Sequence, residues 1–148
     1  MKYWLLKSES DAFSIDDLKA KKKEDWTGVR NYQARNYMRD QMNVGDLCFF
    51  YHSSCEVPGV AGICKISKTK VVDQTQFDKK SEYFDSKSKK ENPTWICVEV
   101  KFVKKFKNIF PLTKIKTDPK LKNMLVIKRG MRLSIQPVTK ADFEYILQ

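Results

Sequence analysis

The chain has 148 residues, 41% of them hydrophobic and 32% charged, the balance of one soluble domain of ordinary size. No stretch approaches the roughly 20 consecutive apolar residues that would span a bilayer, and the apolar run in Met1 to Lys7 is too short for a secretory signal, so a protein that starts at Met1 and stays inside the cell, away from membranes, is predicted. Lys plus Arg number 29 against 18 acids, a formal charge of +11 that suits a phosphate-backbone partner, although runs such as Lys21 to Lys23 and Lys87 to Lys90 are equally what a solvated surface carries.

In chain order, a first strand is predicted at Tyr3 to Leu6, and Ser14 is placed to cap a short helix that begins Ile15-Asp16-Asp17-Leu18, with Asp17 near the orphan amides of its first turn. A longer helix is predicted from Asn31 to about Met42, with Arg35 and Arg39 on one face. Strands follow at Leu47 to Tyr51, Val60 to Val72 and Trp95 to Phe106, the last alternating apolar and charged residues as a strand with one wet face does. Between the last two, Asp78 to Asn92 is polar and charged, which predicts a long surface excursion pinned by Tyr83 and Phe84. Asp118-Pro119 starts another short helix. A last strand is predicted at Met131 to Gln136, and Thr139 caps a carboxyl-terminal helix from Lys140 to Leu147. No linker or repeat divides the chain, so a single domain over 1–148 is expected, of α+β class: a strongly curved mixed sheet or small barrel flanked by short helices.

The cysteines, Cys48, Cys55, Cys64 and Cys97, form no C-x-x-C pair and have one histidine, His52, to complete a ligand set, so no metal site is expected. The five Arg fall in two segments only, Arg30, Arg35 and Arg39 in one, Arg129 and Arg132 in the other, which suggests a need for planar bidentate donors there. The richest stretch is Trp26 to Asn36, WTGVRNYQARN, at a loop-to-helix junction. Equally, Trp26 and Tyr32 can be core aromatics there and Arg30 a surface residue. Phe49 to Ser53, FFYHS, ends a strand with a polar aromatic and an imidazole. Lys7-Ser8-Glu9 leaves the first strand, and on the last predicted strand Arg132, Ser134 and Gln136 share one face. Signatures of serine hydrolases, phosphate-binding loops, zinc proteases and zinc deaminases are missing from the sequence. A small nucleotide- or base-acting enzyme, with His52 and Glu9 as acid and base, stays open as an alternative.

The strings YWLLKSE at Tyr3 to Glu9, GVRNYQARN at Gly28 to Asn36, Gly45-Asp46 with Phe49 to Ser53, Pro58-Gly59, and RLSIQP at Arg132 to Pro137 resemble the EVE domain family, in order and over nearly the whole chain. One departure is Ser10, which stands where the family string usually carries Pro. The resemblance implies a PUA-like fold, kinship with the YTH readers of methylated adenine, and a module that reads modified bases in DNA, chiefly 5-methylcytosine and 5-hydroxymethylcytosine; a monomeric, non-catalytic chain without cofactor is expected. An RNA-binding module on modified RNA is the alternative within the same fold. The resemblance also implies a nuclear location in a eukaryote and a cytoplasmic one in a prokaryote. Carried over by motif position, Trp26, Tyr51 and Trp4 would be pocket aromatics, Asn31, Ser8 and Ser134 would read base edges, and His52 would line the pocket wall. Arg132, Lys7 and Arg30 would contact phosphate or order the pocket.

Overall fold

The computed structural model describes residues 1–148. Six strands, β1 (Tyr3–Glu9), β2 (Lys23–Asp25), β3 (Leu47–Ser53), β4 (Gly59–Val72), β5 (Ile96–Pro111) and β6 (Ile135–Val138), form one mixed sheet in the order β2-β5-β4-β3-β1-β6. β1 and β3 run parallel and the other pairings are antiparallel. The sheet stays open, with β2 and β6 at its edges, so of the two architectures expected from sequence the curved sheet is the one formed. Curvature comes from β4 and β5, whose register shifts at four places. At Gly62 a β-carbon would lie 2.3 Å from the Lys104 carbonyl oxygen, so the strands close to a separation that only glycine allows.

The period of two along β1 and β3 divides the core. Trp4, Leu6, Cys48 and Phe50 face one side, where they meet α1 (Ile15–Lys21), Trp26 and the α2 region. Leu5, Phe49 and Tyr51 face the other, against α3 (Leu112–Thr117) and α4 (Lys140–Leu147) through Ile115, Phe143 and Ile146. The caps form as the sequence dictates: Ser14 Oγ accepts from the Asp17 amide while Asp17 accepts from the Ser14 amide, and Thr139 Oγ1 accepts from the Asp142 amide. No helix is long and apolar enough to cross a membrane.

Two expectations change, and one strand goes unannounced. The helix from Asn31 is five residues of α2 (Tyr32–Asn36) followed by a widened turn over Tyr37–Gln41, in which Met42 reaches back to the Tyr37 carbonyl. The last strand starts at Ile135, not Met131, because Gly130 at φ +78° and the Met131-to-Lys128 turn hold the preceding residues out of the ladder. Its Pro137 is tolerated on an edge strand. β2, with sequence Lys-Glu-Asp, has no apolar alternation to announce it and pairs with β5 through backbone alone.

Candidate nucleic-acid interface

Two of the motif strings meet at the carboxyl ends of β1 and β3, where Ser8 sits opposite His52 and Glu9 opposite Ser53. Ser8 Oγ donates to the Phe13 carbonyl, which leaves its lone pairs as an acceptor. His52 Nε2 accepts from the Ile15 amide at 3.1 Å, and burial lowers its pKa, so the imidazole is neutral and its acceptor nitrogen is occupied by the start of α1. Its register partner is Ser8, and the exposed Glu9 lies one position further along, so His52 and Glu9 are not arranged as a hydrogen-bonded acid-base pair.

The aromatics expected in a pocket are core residues. Trp26 is 7% exposed and meets Phe50 edge-on at 5.6 Å and Phe13 at 6.4 Å. Trp4 is 1% exposed, and its indole Nε1 donates to Asp46 Oδ2, a carboxylate that also receives the Lys2 and Asn43 amides. Trp4 therefore sits far down the strand from Ser8, fixed by the Gly45-Asp46 turn that the sequence marks. Tyr51 is buried on the opposite face of the sheet from Trp26, and burial pushes its phenol up to about 12. Lys7 shares that face, with Nζ 5.9 Å from the centre of the Tyr51 ring and its pKa lowered by burial. The candidate aromatics are thus divided between two faces and do not form one cage.

The remaining residues lie nearer the surface. The Lys7 amide donates to the Ser134 carbonyl, which brings the half-buried Ser134 beside β1, and Arg132 two residues earlier is exposed. Asn31 is exposed and caps α2: its Oδ1 accepts from the Ala34 amide, leaving the Nδ2 amide as its outward group.

Arg30 does not reach outward. It donates to Asp73, to the Thr75 hydroxyl and, through two nitrogens, to the Tyr83 carbonyl, with its guanidinium over the Trp95 and Tyr83 rings. Asp73, 2% exposed, receives Arg30 at 3.0 Å, the Gly28 amide at 2.9 Å and both the amide and hydroxyl of Thr75. Burial pushes the Asp73 carboxyl up, but the bonds from Thr75, Gly28 and Arg30 outweigh it and hold the group below the usual carboxylate range. Gly28, at φ +84°, packs so closely on Tyr83 that an added β-carbon would lie 2.8 Å from the ring. One buried carboxylate and one Arg therefore tie Gly28–Asn31, the Asp73–Thr75 turn and the 78–92 excursion into a single unit.

Of the excursion's two aromatics Tyr83 packs on Gly28 and Arg30, Phe84 stays exposed, and the segment is pinned further by polar bonds. Gln76, with no exposed surface, donates to the Asp73 and Trp95 carbonyls and accepts from Ser88 and the Trp95 amide, while the Trp95 indole donates to Asp85. Asp73, Gln76 and Trp95 are absent from the sequence-based candidates. The Asx turn in Asp73-Gln74-Thr75, directly after a strand, is the one local signal that pointed to them.

The open, curved mixed sheet, with its Gly28–Asn31 loop tied to the Asp73–Thr75 turn, is that of a chain of the EVE domain family, whose profile matches residues 2–148. The chain is similar to thymocyte nuclear protein 1 of Gallus gallus, 47% identical over 164 residues that cover 98% of this chain and 67% of that protein, and to the Homo sapiens protein of the same name, 44% identical and covering 98% and 72%. Among solved structures it is similar to a hypothetical protein from Leishmania major, with TM-score 0.94, 46% identity and coverage of 99% and 92%. It is likewise similar to human THYN1 protein in complex with 5-methylcytosine-containing DNA, with TM-score 0.89, 44% identity and coverage of 99% and 96%.

Proposed function

We propose that this chain is a non-catalytic DNA-binding module that reads a modified base, a modified cytosine in the first place. The observation that carries the reading is the likeness, over 99% of the chain, to a human protein seen with 5-methylcytosine-containing DNA. The chain's own chemistry supports it: a formal charge of +11 suits a phosphate backbone, and Ser8, Glu9, His52 and Ser53 put polar side chains at the ends of β1 and β3. In this reading a flipped base enters between Lys7 to Glu9, Asn31 and Arg132 to Ser134. Ser8 Oγ accepts from an exocyclic amine, Asn31 Nδ2 donates to a ring or carbonyl acceptor, and Ser134 adds a hydroxyl. His52 backs the wall by holding α1, and Arg30 orders the loop that carries Asn31. Lys7 and Arg132 face phosphate. Trp4, Trp26 and Tyr51 act on the pocket through the packing behind it.

The test is a binding titration of oligonucleotides carrying cytosine, 5-methylcytosine, 5-hydroxymethylcytosine or methylated adenine, each as DNA and as RNA. Affinity that depends on the modification in DNA, and that falls in Ser8→Ala, supports the reading. A preference for RNA across the panel moves the function to a modified-RNA reader, through 2′-hydroxyl contacts. Equal binding to every oligonucleotide overturns base reading.

A further inference from the structure

Tyr32 is a large aromatic left 60% exposed although its ring is already ordered. It stacks on Trp95 with centroids 5.0 Å apart and planes 21° from parallel. Trp95 is in turn fixed by its indole bond to Asp85 and its backbone bonds to Gln76. The Arg35 guanidinium lies 4.9 Å from the Tyr32 ring centre and 5.8 Å from that of Trp95. With the two rings 5.0 Å apart, those distances set Arg35 against both rings on the Trp95 side of Tyr32, and the exposed surface of Tyr32 lies on its other side. Arg35 is held by the Thr94 carbonyl and the Asn36 side-chain oxygen, both neutral, so its hydrogen bonds do not cancel its charge.

We propose that the outer face of Tyr32, with Arg35 at its side, is a second nucleic-acid contact that stacks an unpaired nucleobase and draws the adjoining phosphate to the guanidinium. A buried Trp behind an exposed Tyr makes a rigid π platform that loses little conformational freedom on binding, and a cation beside it favours a planar, electron-rich ring carrying an anion. Every base offers a π-face, so this contact is indifferent to modification. It rests on the chain binding nucleic acid, and it is separate from the groups assigned above to reading the base edge.

The experiment uses the full chain and a DNA duplex that ends in a short single-stranded overhang with 2-aminopurine in it. Wild type and Tyr32→Phe quench the fluorophore by stacking. Tyr32→Leu keeps apolar cover on Trp95 but removes the π-face, so quenching is lost and affinity falls about fivefold to hundredfold, the range for one stacked base. The ratio of affinities for modified and unmodified duplex stays as in wild type, and a blunt duplex binds Tyr32→Leu within about twofold of wild type, since no unpaired base engages the ledge. Photocrosslinking of 5-iodouracil in the overhang to wild-type chain needs no variant and places the adduct on Tyr32. Wild-type quenching and affinity in Tyr32→Leu, or an adduct only elsewhere, overturns the proposal. A modification ratio of one in wild type overturns base reading and leaves the ledge to be judged by the quenching.

Discussion

Asn31 divides its two polar atoms between the cap of α2 and the base contact proposed for it. Its oxygen closes the first turn of α2 and its amide nitrogen faces out, so the two roles separate by substitution. Asn31→Ser keeps an N-cap acceptor and loses the outward amide. Thermal stability is then expected to stay near wild type, while the affinity advantage of modified over unmodified DNA falls several-fold, the weight of about one hydrogen bond. Asn31→Ala is expected to show the same loss of discrimination together with about 1 kcal/mol of lost stability from the missing cap. Paired urea melts and binding titrations read both quantities. His52 makes a different demand, since its neutral nitrogen accepts the Ile15 amide and protonation removes that acceptor. Burial depresses its pKa below the ordinary 6.5, so the unfolded chain takes up the proton first as pH falls. The contribution is complete above about pH 6.5 and is lost as pH falls toward and through the depressed folded value. In His52→Gln the amide oxygen still accepts but does not titrate. The drop in Tm between pH 7.5 and 5.5 is therefore expected to be smaller in the variant than in wild type, and an equal drop in both would assign the pH dependence to other groups.

At the scale of elements, the unit that presents Asn31 depends on a carboxylate some forty residues away in the chain. Asp73→Asn preserves the shape but removes the charge opposite Arg30 and one acceptor for the Gly28 and Arg30 donors. A loss of about 2 kcal/mol is expected by denaturant titration, the weight of hydrogen bonds between charged groups, with hydrogen exchange rising first in residues 28–31 and 78–85. Trp26→Ala is expected to cost more, about 3–5 kcal/mol, because it empties an aromatic site between Phe13 and Phe50. Lost DNA binding in that variant reports unfolding before it reports a missing pocket wall. These two residues also show what was legible in the sequence. The alternation in Trp95 to Phe106 and the caps at Ser14 and Thr139 are local signals, and the strands and helices they announce are present. Trp26 could be read either as pocket or as core because composition does not say which side of a sheet an aromatic faces. That follows from the crossing of β2 to β5 and from α1 packing above Phe50, both long-range events. Asp73 was illegible for the same reason: its partners lie at Gly28 and Arg30, and only the folded chain brings them within 3.0 Å. β2 escaped because backbone pairing with β5, and no apolar pattern, makes it a strand.

For the whole molecule, the excess of 29 basic over 18 acidic residues becomes a quantity that DNA binding can measure. Several basic groups are already committed to acids: Lys105 to Asp16 at 2.8 Å, Arg39 to Asp40, and Arg30 to Asp73. Arg132, for which a phosphate contact is proposed, is exposed two residues before Ser134, whose carbonyl bonds the Lys7 amide. Each phosphate neutralised on duplex DNA releases counterion, so log K falls with log salt at a slope of about −0.9 per contact. Arg132→Ala is therefore expected to weaken binding to cytosine and 5-methylcytosine duplexes by the same factor and to make the slope shallower by about 0.9. Asn31→Ser is expected to do the reverse, changing the ratio between the two duplexes and leaving the slope alone. Titrations of wild type and both variants at four salt concentrations separate backbone contact from base reading within one data set. An unchanged slope in Arg132→Ala would move the phosphate contact to other cations, with the exposed lysines of β5 next in line. A slope near zero in wild type would remove the charge argument altogether, since a chain with this excess of cations cannot bind a phosphate backbone through them without displacing salt.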